Sequence, residues 1–150
     1  MSLIDRVGLG GLRVATYEAG LLQARAHRAL RNRLSTQLEK HDLTLPEWAL
    51  LGQLHEKGSL RLTEISAVLA VESPLATNLV NGLSRKDLVE RRRDTADARA
   101  KQVRLTAKGQ ALVPQTEKAL RRDLREFLRE VPPAKLAAYL EVLRIIAGKR

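Results

Sequence analysis

A mainly α chain carrying one small β-hairpin is the fold class this sequence predicts, and three observations predict it. Apolar residues recur at helical spacing over two long stretches, residues 12–40 and 107–131. Cap and turn signals divide residues 44–86 into short helical segments. Residues 88–105 hold two alternating runs around a polar, turn-prone tract rich in arginine, the pattern of a hairpin.

Taken in order, the first ten or so residues include Gly8, Gly10 and Gly11 and are expected to fray. The long helix over residues 12–40 sets Leu22, Ala26, Leu30, Leu34 and Leu38 at i+4 spacing, an apolar stripe that needs a partner. Thr44-Leu45-Pro46-Glu47 has the capping-box pattern and opens a helix through Trp48, Leu50, Leu51 and Leu54, closed by Gly58. Thr63 is the next expected cap, for a short helix over 64–70 with Ile65, Val68 and Leu69 inward. After a turn at Val71-Glu72, Ser73 is expected to cap and Pro74 to take the first helical position, where its missing N–H costs nothing. That helix is predicted to turn Leu75, Leu79, Val80 and Leu83 inward and to run to Lys86.

Residues 88–92 and 101–105 alternate as paired strands. Thr106 caps a second long helix with Leu112, Val113, Leu120, Leu124, Phe127 and Leu128 on its apolar side; Pro114 should bend it. Val131-Pro132-Pro133 breaks it, and a last helix carries Leu136, Leu140, Leu143 and Ile146.

The composition narrows the function. The 150 residues fit one domain with a real core, alone or in an elongated dimer, and hydrophobic residues make up 44% of them. There are no cysteines, so disulfides, thiolate metal sites and a thiol redox switch are excluded. His27, His41 and His55 have neither HxxxH nor HExxH spacing, so no metal or other cofactor is expected. No GxSxG, P-loop or GxGxxG occurs, and the carboxylates are dispersed with no nucleophile beside them, which argues against an enzyme. No apolar run reaches the roughly 20 residues that cross a bilayer, and no signal-peptide pattern opens the chain, so a cytoplasmic protein is expected.

A net charge of +10 favours polyanionic partners, and its distribution says more than its total. Residues 42–84 carry 2 basic and 5 acidic side chains, a net of −3, whereas residues 85–106 carry 8 and 4, a net of +4. A nearly uncharged helix therefore sits beside concentrated positive charge. Two short helices followed by a basic hairpin form the outline of a winged helix-turn-helix, the arrangement that sets cations on phosphates and small polar groups at base edges. Ser73, Thr77, Asn78 and Asn81 lie broadly on one helical face, and asparagine can bond bidentately to adenine N6 and N7. Their other reading is the solvated side of an amphipathic helix. Arg85, Lys86, Arg91, Arg92, Arg93, Lys101 and Arg104 are read as either phosphate contacts or solvated charge. Arg99, near the hairpin tip, suits insertion into a narrow minor groove.

These residues resemble the MarR family of winged helix-turn-helix transcription regulators (multiple antibiotic resistance regulators). Four features carry the likeness. They are Leu43-Thr44 before the helix of Trp48 and Leu51, with Gly58 after it; Leu62-Thr63-Glu64-Ile65 with Leu69 and Val71; Leu83 with Leu88-Val89-Glu90-Arg91; and the wing pattern of Asp97, Arg99, Val103, Leu105 and Thr106, followed by Lys108-Gly109. Asp87 stands where the family commonly has glycine, Leu75-Ala76-Thr77-Asn78 replaces its more polar run, and Ala98 takes the place of a second wing cation.

The resemblance implies one MarR-like domain over 1–150, with a DNA-binding core at 44–106 and helical dimerisation regions at 12–41 and 107–148. It implies a homodimeric repressor of a near-palindromic double-stranded DNA operator, responsive to a small amphipathic or phenolic ligand held near Tyr17, His41 and Trp48. Asp97 would orient Arg99 through an ion pair. The terminal helices admit an intramolecular bundle as the alternative to a dimer. Two other functions fit the charge or the depleted reading helix: sequence-nonspecific nucleic-acid binding, and a protein-interaction module that no longer binds DNA.

Overall fold

A computed structural model describes residues 16–93 and 101–149. The expected helix start at residues 12–15 and the wing residues Asp97 and Arg99 fall outside that range. Helix α1 (Thr16–Glu39) leads through a left-handed Asp42 (φ 56°) to α2 (Leu45–Lys57). Strand β1 (Ser59–Arg61) precedes α3 (Leu62–Leu69) and α4 (Ser73–Arg85), and β2 (Val89–Arg93) pairs with β3 (Lys101–Leu105) before α5 (Ala107–Phe127) and α6 (Pro133–Ala147).

The local signals explain most of these boundaries. Thr44 Oγ1 accepts from the Glu47 N–H at 3.3 Å, and Glu47 Oε1 accepts from the Thr44 N–H at 3.0 Å, which closes the capping box. Gly58 ends α2 at φ 87°, where a side chain would be strained. Thr106 caps α5 by accepting from the Gly109 N–H at 3.1 Å. α5 continues through Pro114.

Some expectations are corrected. The sheet has three strands in the order β1-β3-β2, and β1 was not foreseen. Both pairings are antiparallel, with Leu60 opposite Val103 on one side of β3 and Arg91 opposite Val103 on the other. Thr63 is not a cap: α3 begins at Leu62, and the Glu64 carboxylate accepts from the Arg61 N–H at 2.9 Å. Ser73 is the first residue of α4 rather than its cap, and extended Glu72 precedes it. The inward row of α4 is Ala76, Val80 and Leu83 at i, i+4 and i+7, which turns Leu75 out to 46% exposure. Val68, expected to be inward, is also exposed.

The core joins Leu38, Leu50, Leu51 and Leu54 to Ile65, Ala76, Val80 and Leu83 of the paired short helices, and to Val89, Val103, Leu105, Val113 and Leu120. It covers only the C-terminal end of the α1 stripe. Leu22 stays exposed, and α6 has no buried residue.

The tightest packing is where α5 meets the start of β2. A Cβ on Gly109 would collide with the Leu88 carbonyl oxygen, and Leu105 Cδ2 would stand 3.2 Å away. Backbone cannot yield as a flexible side chain can, so Gly109→Ala should cost about 3 kcal/mol. Urea unfolding followed by far-UV circular dichroism checks this; an unchanged midpoint would contradict the packing described.

Candidate nucleic-acid interface

The α3–α4 pair is held by Ile65 against Ala76 and Val80, with a left-handed Ala70 (φ 53°) and the Val71 N–H bonded to the Ser66 carbonyl at 3.0 Å between them. Small Ala76, fully buried, sits on the inward row, and the opposite side of α4 faces solvent. There Ser73, Leu75, Asn78 and Arg85 are exposed, with Thr77 and Asn81 half-buried beside them. Leu75 is the residue of this face that sequence reasoning assigned to the core. The available signal was the Ala76-Val80-Leu83 spacing, which a small alanine made easy to overlook.

Strand parity separates the basic residues of β2. Arg91 shares a face with buried Val89, whereas Glu90 and Arg92 point to the other side. Arg91 reaches α4, and its Nη2 donates to Asn81 Oδ1 at 2.5 Å. On the far side, Glu90 Oε1 accepts from Arg104 Nε at 2.7 Å and from Arg92 Nε at 3.2 Å. The Arg104 bond foremost, with Arg92 beside it, holds the Glu90 carboxyl below the usual carboxylate range. Lys101 and Arg93 face each other, exposed, where β2 and β3 approach the wing.

Lys86 has a different occupation from the other cations. Its Nζ donates to the Asp42 carbonyl at 2.6 Å and to both oxygens of Glu47, at 3.1 and 3.2 Å. Glu47 is buried, and this ion pair links the start of α2 to the end of α4. Burial pushes the Glu47 carboxyl up, but the Thr44 N–H, the Lys86 ammonium and the Thr44 hydroxyl together outweigh it and leave the group below its ordinary value. The capping box was legible in sequence; the partner 39 residues away was not.

The three residues expected around a ligand do not converge within one protomer. α1 rises about 1.5 Å per residue, so Tyr17 lies roughly 33 Å from the end that carries His41. Tyr17 is exposed. Trp48 instead lines a cavity of about 230 Å³ with Leu34, Glu117, Leu120, Arg121 and Leu124. Among the described residues, no cluster of histidine and carboxylate side chains is placed to hold a metal, and no helix is long and apolar enough to cross a membrane.

An exposed reading helix tied to a basic ribbon is the geometry of a winged helix, and residues 43–101 match the model of the MarR family. That segment is a MarR-family domain. The HTH-type transcriptional regulator MhqR of Bacillus subtilis is 29% identical to the chain over 93 residues, covering 62% of this chain and 64% of MhqR. The match therefore spans just under two thirds of that relative's length. BpsR of Bordetella bronchiseptica, whose DNA binding is regulated by 6-hydroxynicotinic acid, superposes with a TM-score of 0.78 at 22% identity over 87% of this chain and 94% of BpsR. A MarR mutant from E. coli complexed with operator DNA gives 0.76 at 22% identity, over 85% of this chain and 91% of that one. The MarR-type fold thus extends beyond the matched segment to the terminal helices.

The pH dependence of the Glu47 pair has a definite sign. A carboxyl whose value is depressed by folding contributes stability above the ordinary carboxylate range, and that contribution is lost as pH falls through the depressed value. Glu47→Gln should cost about 2 kcal/mol at neutral pH, the worth of a hydrogen-bonded charge. Its difference from the parent protein should shrink in acid. Urea titrations at neutral pH and near pH 3 check this; a constant difference would contradict it.

Proposed function

We propose that the chain is a sequence-specific double-stranded-DNA-binding transcription regulator, a cytoplasmic homodimer that represses by occupying a near-palindromic operator. The observation that carries this reading is the polar outer face of α4, backed by the Arg91–Asn81 bond that ties it to a basic strand. Ser73, Thr77, Asn78 and Asn81 face the major groove, while Arg85, Arg92 and Lys101 serve the phosphates. The reading assigns Arg99 to the minor groove with Asp97 as its partner. Lys86, already bonded to Glu47, contributes charge near the surface rather than a phosphate contact.

Dimerisation is supported by what the single chain leaves uncovered. Tyr17, Leu21 and Leu22 of α1 and Tyr139, Leu140, Val142, Ile145 and Ile146 of α6 are exposed large hydrophobic residues. A water-exposed apolar set of this size marks an association surface. An isologous two-fold pair would set the reading helices about one DNA turn apart, which makes the operator near-palindromic. Blocking a promoter needs nothing beyond a reader and a dimer, and repression is therefore the simplest output. A small amphipathic or phenolic ligand seated beside Trp48, between α1, α2 and α5, would relieve it. The BpsR and operator-bound MarR relatives support the DNA and ligand parts of the reading.

Fluorescence anisotropy with the promoter DNA of the protein's own gene, against a scrambled duplex at two salt concentrations, tests the reading. The promoter should bind more tightly at both, and Asn78→Ala should lose about 1–3 kcal/mol on the promoter alone. Equal affinity for both duplexes would overturn specificity in favour of charge-driven coating. In sedimentation equilibrium the parent protein should be a dimer, and Leu140→Asp should shift it to monomer with its circular dichroism spectrum retained. A monomeric parent protein would overturn the dimer.

A further inference from the structure

Asparagine in a major groove is ambiguous, because its carboxamide offers an acceptor oxygen and two N–H donors. Used together they match adenine, whose N6 donates and whose N7 accepts. Asn81 is not in that open state. Arg91 Nη2 stands 2.5 Å from its Oδ1, and a guanidinium has donors only, so the atom facing it must be the oxygen. Rotating the carboxamide by half a turn would bring N–H against N–H and lose a charge-assisted bond. The rotor is therefore locked, with its oxygen committed to Arg91 and its nitrogen turned away.

The anchor of that lock is itself fixed. Arg91 belongs to a strand paired through Val103, and it lies on the same face as buried Val89. Its neighbour Arg92 is held on the opposite face by Glu90 and has no part in the contact. Asn81 lies two turns after the start of α4 and is half-buried against the wing side, which leaves its amide N–H groups as its free hydrogen-bonding edge.

We infer, resting on the DNA-binding reading above, that Asn81 is a specificity-determining residue that selects an acceptor-presenting base, guanine (O6 and N7) or thymine (O4), because Arg91 positions it as a donor. Adenine is disfavoured at this position: its N6 amine would have to share, through the second lone pair, an oxygen that the guanidinium already holds and whose electron density it withdraws. Arg91 is thus a positioning residue, distinct from a phosphate cation. A phosphate cation would change affinity for all duplexes alike, whereas a positioning residue changes which base is preferred.

Selection of randomised duplex DNA by the full-length protein separates these roles. The half-site position whose preference disappears in Asn81→Ala identifies the base read by Asn81. With the parent protein that base should be guanine or thymine, preferred over adenine by about tenfold. With Arg91→Ala the preference at that one position should fall to about twofold or pass to adenine, with the other positions unchanged. Arg92→Ala should weaken retention of every duplex and leave the selected sequence intact. Both arginines are exposed, so either variant should fold, as circular dichroism would verify. Adenine at the Asn81 position in the parent selection would overturn the inference, as would an Arg91→Ala selection identical to the parent's. Selection of no sequence at all by the parent protein would instead overturn the DNA-reading proposal itself.

Discussion

Three residues between the reading helix and β2 hold the structure in register. Lys86 clamps Glu47 and the Asp42 carbonyl through its ammonium group, and its own carbonyl accepts from Lys108 Nζ at 3.0 Å. Asp87, left-handed at φ 59°, offers its carbonyl to Thr106 Oγ1 at 2.7 Å. The Leu88 N–H bonds to the Leu83 carbonyl, and the Leu88 carbonyl accepts the Thr106 N–H, both at 3.0 Å. The start of α2, the end of α4, the strand β2 and the cap of α5 therefore meet in one short stretch. Left-handed conformation is costly for most residues but tolerable for aspartate, so Asp87 serves where glycine would be freer. An exposed helix carrying small polar side chains can present them in fixed directions only if its exit is held this firmly.

Ion pairing sorts the positive charge. A net charge of +10 suggests a uniformly basic surface, yet many cations already have partners. Lys86 is bound to Glu47, Arg104 and Arg92 share Glu90, Arg121 pairs with Glu117 within α5, and Arg129, just past the end of α5, pairs with Glu126. Arg33 forms a bidentate bridge to Asp123 at 2.6 and 2.7 Å while its guanidinium lies 5.4 Å from the Phe127 ring centre, which fastens α1 to α5. Its hydrogen bond is the main reason the Asp123 carboxyl lies below its ordinary value. In the proposed DNA-binding reading, the phosphates are met by exposed Arg85 and Lys101 and by Arg92, whose bond to Glu90 leaves its guanidinium exposed.

The parts of this architecture that were legible in sequence are those set by local chemistry. Thr44 with Glu47, Gly58, Thr106 and the two alternating runs each mark an element within a few residues of themselves. β1 escaped because three residues carry no period, and Ser59–Arg61 is a strand only by virtue of pairing with β3. Ser73 and Thr63 were misplaced as caps because each is a good capping type next to the true boundary. Leu75 lies outside the core because the buried row of α4 runs through Ala76 and not through each leucine. Of the interface residues, the α4 face was readable from spacing. The two contacts that give it direction, Arg91 to Asn81 and Lys86 to Glu47, join positions that only the folded chain brings together. Tyr17 and His41 do not meet within one protomer because the length of α1 separates them.

On binding, α4 is expected to meet DNA with its polar face while the junction behind it stays unchanged. An amide-resolved NMR titration of the protein with its promoter duplex observes both at once. The side-chain NH2 signals of Asn78 and Asn81 and the backbone amides of β2 should shift most, with Leu88, Thr106 and Gly109 nearly still. Large shifts confined to the Arg122 and Arg125 side of α5, with the asparagine signals unmoved, would contradict it.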